Sequence, residues 1–130
     1  DVINPNARVM RNSVVEVDGF QSIPEFVRGH LVENDFVGTD FLGGGSTEWL
    51  KRALKLRTRI AFAFVDGKHT YEQVQYEAGA LYQLQKKGDV VVFDDCQIEP
   101  VGRAVAELRG YYDIRYVDIG VRNYAVAIRL

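Results

Sequence analysis

The sequence predicts an α/β fold with a mostly parallel sheet, built as a single domain over residues 1–130. Three apolar runs of strand length, "SVVEVD", "IAFAFVD" and "VVVFDD", each end on aspartate. A segment of helical periodicity separates the last two runs, and this alternation is typical of parallel sheets with crossover helices. Because 47% of the 130 residues are hydrophobic, the chain has the composition of a domain with one core.

Caps and periodicity predict the elements between the first two runs. We expect a helix over 23–34, a strand over 37–42 and a helix over 46–56. The last helix should begin at Ser46 or Thr47, because a hydroxyl side chain accepts hydrogen bonds from the free amides of a first turn. The preceding "LGGGST" lacks the spacing of a phosphate-binding loop and is predicted to be a turn.

A βαβ unit is predicted next. Its first strand, over 60–65, is apolar on both faces, which is typical of a buried strand in a parallel sheet. A helix over 70–87 starts with a T-x-x-Q capping box and should end with two lysines in its last turn and Gly88 as the C′ residue. The strand over 89–93 then returns parallel to the first strand.

The C-terminal part of the chain is predicted to hold one helix and a hairpin. Pro100 suits a first helical turn, and Gly110 suits the end of that helix. The strands "YDIRYVDI" and "NYAVAIRL" are joined by the short turn "GVRN", so we expect them to pair antiparallel.

Charge and composition argue against nucleic-acid and membrane partners. The formal net charge is -2, and no long run of Lys or Arg provides a basic footprint. No apolar run approaches the ~20 residues of a spanning helix, and the N-terminal residues do not resemble a signal peptide. The single cysteine, Cys96, cannot form an internal disulfide, which agrees with the cytoplasmic location that we expect.

The aspartates at the strand ends are candidate metal ligands. Asp66 ends one strand of the βαβ unit, while Asp94 and Asp95 end the other, so all three should meet at one edge of the sheet. Carboxylates that crowd together need a cation among them or a proton on one of them. Oxygen ligands suit Mg²⁺, Mn²⁺ or Ca²⁺ better than zinc. The alternative is that these aspartates only satisfy turn amides, and this applies most to Asp18.

His69 is a candidate general base. It follows Asp66 by three positions at the start of the predicted helix, and its ordinary pKa of about 6.5 suits proton transfer near neutral pH. The alternative is a histidine that orders the turn. Cys96 lies beside the acids without a basic neighbour in sequence, so we do not expect it to be a nucleophile.

The segment "FVDGKHTYEQVQYEAGALYQLQKKGDVVVFDDCQIEPVGRAVAEL" resembles the second half of class I S-adenosylmethionine-dependent methyltransferases. It is most similar to small-molecule O-methyltransferases, whose pattern reads roughly "F-I-D-G-D-H-x-Y-E" and later "L-x-x-G-G-x-[IV]-[IV]-x-D-D". The spacing of Asp66 and Asp94 resembles that of metal-dependent members such as the catechol and macrolide-sugar enzymes. The resemblance therefore implies a Rossmann-like fold and methyl transfer to a hydroxyl of a small molecule, with Mg²⁺ or another divalent cation.

The resemblance also assigns roles to the candidate residues. Asp66, Asp94 and Asp95 would bind the metal, and Asp66 would also face S-adenosylmethionine. Asp18 would bind the ribose of this cofactor, because "VVEVD" looks like the second strand of the family. His69 stands where the catechol-type enzymes have a lysine base, so it would accept the proton of the hydroxyl.

Two departures from the family pattern bear on these roles. Lys68 stands where the pattern has an acid, and the residues before Asp18 do not contain the first strand and its glycine-rich loop. We therefore expect an incomplete Rossmann-like sheet. The chain would then be a fragment of a longer enzyme, a chain that has lost cofactor binding, or a chain that another subunit completes. The alternative function is a non-catalytic interaction or oligomerisation module. In either case an exposed sheet edge predicts a homo-oligomer.

Overall fold

The computed structural model describes residues 45–130, and Asp18 and the elements predicted before residue 45 lie outside these residues. The described elements are three α-helices and four strands, with a 3₁₀ turn at Glu107–Gly110. In chain order they are α1 (Ser46–Leu56), β1 (Phe62–Val65), α2 (Tyr71–Leu84), β2 (Val90–Phe93), α3 (Glu99–Ala106), β3 (Tyr112–Asp118) and β4 (Asn123–Arg129). None of these helices is long and apolar enough to cross a membrane.

The four described strands form one sheet in the order β1-β2-β4-β3. β1 pairs parallel with β2, while β4 pairs antiparallel with both β2 and β3. Three strands therefore run in one direction and only β4 runs against them. This arrangement confirms the predicted α/β class, the βαβ unit and the C-terminal antiparallel hairpin.

The hydrophobic core packs against one face of this sheet. One row of neighbouring residues crosses all four strands, namely Ala63, Val91, Ala127 and Ile114. Val91 and Ala127 are fully buried, and the other two pack against the same cluster. All three helices contribute buried side chains to this cluster, so helices and sheet share a single core.

β1 is less buried than its sequence predicts. Ala63 and Val65 contact the core, whereas Phe62 and Phe64 point to the opposite face and are 62% and 52% exposed. Successive side chains of a strand alternate between the two faces. An apolar strand is therefore buried only if other residues cover both of its faces. Among the described residues, the ring of Tyr124 beside Phe64 covers part of the face that carries Phe62 and Phe64.

The end of α2 differs from the prediction. The helix stops at Leu84, Gln85 is extended, and Gly88 has its positive φ of 87° inside a turn over residues 86–89. The Gln85 side chain explains the early stop, because it is buried, donates to the Val90 carbonyl and accepts from the Tyr112 hydroxyl. Tertiary hydrogen bonds therefore override the local helix signals. The prediction that two lysines form the last turn of this helix and that Gly88 is its C′ residue was wrong.

A pair of glycine substitutions tests the packing of α3. A Cβ at Gly102 would lie 2.5 Å from the Cys96 carbonyl oxygen, whereas a Cβ at Gly79 in α2 would meet nothing within 4 Å. Gly102→Ala should therefore destabilise the protein by about 1–3 kcal/mol through overpacking. Gly79→Ala should stabilise it by up to about 1 kcal/mol, because alanine is the better helix former. Urea unfolding measures both, and equal effects would contradict the close approach of α3.

Candidate functional site

The three predicted acids of the described chain lie at one edge of the sheet. Asp66 directly follows β1, and Asp94 and Asp95 directly follow β2. Val65 and Phe93 are partners in the parallel register, and the Asp94 amide extends the ladder by donating to the Val65 carbonyl at 3.0 Å. We call this end of β1 and β2, with its three aspartates, the acid edge. Ligands of open α/β sheets bind outside such carboxyl ends.

Asp66, His69 and Asp95 form a compact group at this edge, here called the His–Asp cluster. One ligand atom of each residue lies within 4.8 Å of the other two. Nε2 of His69 lies 3.1 Å from Oδ2 of Asp95 and 3.9 Å from Oδ1 of Asp66. All three side chains reach solvent, so a ligand has access to them. The structure thus brings together three of the predicted site residues.

The loop after β1 places His69. His69 immediately precedes Thr70, whose side chain caps α2 by accepting from the Gln73 amide. The Gln73 side chain in turn donates to Glu77, within α2, and to Thr47 in α1. The imidazole is therefore carried on a short loop whose far end is fixed by the start of a helix.

The loop after β2 places Asp95 through an unusual backbone conformation. Its φ is 55°, in the left-handed region that aspartate tolerates better than most residues. Its amide donates to Oδ1 of Asp94 at 2.6 Å, and its own Oδ1 accepts from the Gln97 side chain at 2.7 Å. These contacts leave the second carboxylate oxygen, Oδ2, directed at His69.

Asp94 is not part of the His–Asp cluster. Its side chain is only 2% exposed, and its Oδ2 accepts from Nη1 of Arg122 at 3.0 Å. Arg122 lies in the turn between β3 and β4 and was missed by the sequence analysis. The arginine of the "GVRN" turn could be linked to Asp94 only once β4 is known to pair antiparallel with β2, which brings this turn to the carboxyl end of β2.

Two pKa values at the acid edge are shifted. A hydrogen bond with Tyr124, and then the charges of Asp94 and Asp95, raise the pKa of Arg122 above its ordinary value. Burial, assisted by the same two carboxylates, raises the pKa of the Cys96 thiol to about 11. Arg122 is therefore a permanent cation, and Cys96 remains a neutral thiol near neutral pH.

Comparison with known proteins gives the family. A family described as a methyltransferase domain matches residues 2–96, which include every predicted site residue. The chain belongs to this family. The resemblance found in the sequence is thereby confirmed, and Arg122 lies beyond the matched residues of this methyltransferase domain.

Solved O-methyltransferases share the fold of this methyltransferase domain. An O-methyltransferase from Bacillus cereus, in complex with SAH, matches with a TM-score of 0.70 and 9% identity, over 94% of this chain and 62% of that one. A protein described as a caffeoyl-CoA O-methyltransferase from Staphylococcus aureus matches at 0.68 and 11% identity, over 95% and 64% of the two chains. A TDP-rhamnose 3'-O-methyltransferase of calicheamicin biosynthesis, in its apo form, matches at 0.64 and 18% identity, over 97% and 59%.

The methyltransferase domain spans about 60% of the length of these solved structures. Because their sequence identity to this chain is low, these structures establish only that the fold is Rossmann-like. No curated protein matches the chain in sequence.

Alkylation tests the environment of Cys96. Because its pKa is raised to about 11, its thiolate fraction at pH 8 should be roughly a hundredfold below that of an ordinary thiol. Iodoacetamide should therefore react slowly with the folded protein at pH 8, and the rate should rise until pH approaches 11. The same protein in urea, where the thiol is exposed, is the control. Equally fast alkylation of the folded and unfolded chains at pH 8 would contradict the burial.

Proposed function

We propose that this methyltransferase domain transfers the methyl group of S-adenosylmethionine to a hydroxyl of a small molecule. The observation that carries the proposal is the contact between His69 and Asp95 at the carboxyl edge of a methyltransferase-family sheet. The structural neighbours support it, because they are O-methyltransferases and one of them is a complex with SAH.

The acid edge suits this cofactor. S-adenosylmethionine supplies a methyl group made electrophilic by a positively charged sulfonium. Asp66 is the predicted cofactor contact within the described residues. About half of its side chain is exposed, at the edge of the sheet where ligands of this fold class bind. Its carboxylate would attract the sulfonium charge, while the predicted ribose contact, Asp18, lies outside the described residues.

His69 would accept the proton of the acceptor hydroxyl. If Nε2–H donates to Asp95, as the 3.1 Å distance allows, Nδ1 carries the lone pair that takes the proton. The Asp95 carboxylate fixes this tautomer and stabilises the imidazolium that forms. Asp95 would therefore position the base. The deprotonated hydroxyl oxygen would attack the methyl carbon in line while the bond from that carbon to the sulfonium sulfur breaks, and the sulfur would leave as a neutral thioether.

A divalent cation such as Mg²⁺ is the predicted second cofactor, and part of the predicted ligand set fits it. The side chains of Asp66 and Asp95 are 49% and 14% exposed, and Mg²⁺ is commonly held by one or two carboxylates with several waters. These two residues would hold the ion, which when bound would lower the pKa of the acceptor hydroxyl. Asp94 fits less well, because its carboxylate is buried and engaged by Arg122.

An interaction module is the second candidate. The exposed rings of Phe62 and Phe64 favour it, since solvent-facing aromatic side chains on one strand are suited to bury against a partner. In this case the chain would associate without methyl transfer. The predicted homo-oligomer is compatible with both functions, and gel filtration measures it.

Substitution of His69 tests the proposed role of the base. Calorimetric titration of the folded chain with S-adenosylmethionine, with Mg²⁺ and again with EDTA, comes first. His69→Ala should then reduce methyl transfer to catechols or sugars by about 10²–10⁴-fold, because a general base contributes that much, and should leave cofactor affinity unchanged. Lys87→Ala, at an exposed position beyond the opposite end of α2, is the control.

Two results would contradict this function. Folded wild-type protein that shows no heat with S-adenosylmethionine would exclude catalysis by this chain alone and favour the interaction module. Binding of the cofactor with full activity in His69→Ala would exclude His69 as the base.

A further inference from the structure

The charge of Asp94 is already neutralised within the protein. Oδ2 accepts from the Arg122 guanidinium at 3.0 Å, and Oδ1 accepts from the Asp95 amide at 2.6 Å. With a side chain only 2% exposed, the carboxylate presents little surface to an incoming ion. A buried carboxylate without such a partner would carry a large desolvation cost. The protein therefore supplies the counter-charge that the sequence analysis assigned to a metal.

The backbone on either side of Arg122 is fixed, so its reach to Asp94 is built into the hairpin. The Arg122 carbonyl accepts from the Ile119 amide at 3.1 Å, which closes the turn. The next residue, Asn123, accepts from the Cys96 amide at 2.8 Å and donates its own amide to the Gln97 side chain at 2.9 Å. The turn is thus hydrogen-bonded directly to the loop that carries Asp94 and Asp95.

The other two acids of the edge, Asp66 and Asp95, form no ion pair with Arg122 in the described residues. Within residues 45–130, the ion pairs of Asp66 and Asp95 are with His69, whose charge depends on its protonation. Their carboxylates converge with the imidazole and reach solvent. The acid edge therefore has one acid that is paired with a permanent cation and two that reach solvent.

We propose that Arg122 takes the place of a cation beside Asp94, withdraws this carboxylate from the cation site and so limits the affinity of the acid edge for divalent cations. The inference rests on the proposed function only in placing a cation at this edge. A divalent ion that used Asp94 would have to displace the guanidinium and would be repelled by its charge. Arg122 is thus a residue that sets cation affinity and does not touch the reacting atoms.

Cation binding to charge variants tests this inference without any methyl-transfer assay. Free Mn²⁺ is followed by electron paramagnetic resonance, and Mg²⁺ binding by calorimetry. Arg122→Gln should bind Mn²⁺ at least roughly tenfold more tightly than the wild type, since cation affinity rises with the number of charged ligands. Adding Asp94→Asn to this variant should return the affinity to the wild-type value. Arg122→Lys, which keeps a positive charge at this position, should bind as the wild type does.

Arg115→Gln is the matched control. Arg115 also lies on the hairpin and pairs with a neighbouring aspartate, Asp113, at 3.3 Å, but on an exposed surface of β3. Its loss should leave Mn²⁺ affinity unchanged, which separates a local effect at Asp94 from a general change in net charge.

Two results would overturn the inference. One is folded Arg122→Gln protein, verified by circular dichroism, that binds Mn²⁺ no more tightly than the wild type. The other is folded protein with both Arg122→Gln and Asp94→Asn that binds Mn²⁺ as tightly as Arg122→Gln alone, because the gain in affinity would then not come from Asp94. Neither result depends on S-adenosylmethionine or an acceptor, so failure of the proposed methyl transfer stays distinguishable from failure of this inference.

Discussion

The parallel pairing of β1 with β2 is the constraint on which the candidate site depends. The crossover through α2 makes the two strands run in the same direction, and the register of Val65 with Phe93 aligns their last residues. The next residue of each strand is an aspartate, so the acids meet because the strands end together. A shift of this register would separate Asp66 from the loop after β2 and would also turn the core-facing row of β2 to the other face.

Electrostatic balance at this edge is reached by two different means. Asp94 is buried, and for a buried carboxylate a fixed, permanently charged partner offsets the several kcal/mol of desolvation. Asp66 and Asp95 reach water, which screens their mutual repulsion, so they can share a titratable imidazole. Burial thus distinguishes two adjacent aspartates: Asp94 is paired with Arg122, whereas Asp95 contacts His69 and reaches solvent.

The sequence predicted local features better than the partners of buried polar groups. Three local features depend only on neighbouring residues and were predicted correctly: the carboxyl ends of the strands, the Thr70 cap and the hairpin. The end of α2 depends on Tyr112, which is far away in the chain and holds Gln85 in an extended conformation. The role of Asp94 likewise depends on Arg122, two strands later. Periodicity and capping patterns contain no information on such long-range contacts, and only the topology of the sheet supplies it.

The loop that carries Asp95 is held from both sides, and this explains how it keeps a strained conformation. A left-handed φ at a residue other than glycine costs of order 1–3 kcal/mol and persists only where the surroundings enforce it. On one side α3 approaches so closely that a Cβ at Gly102 would lie 2.5 Å from the Cys96 carbonyl oxygen, and on the other side the Cys96 amide donates to the Asn123 carbonyl. Methyl transfer depends chiefly on positioning, because the reacting groups must be held at near-attack distance. The packing of α3 and of the hairpin against this short loop holds Asp95 in place. Asp95 would in turn hold the solvent-exposed imidazole of His69 in the orientation that a base requires.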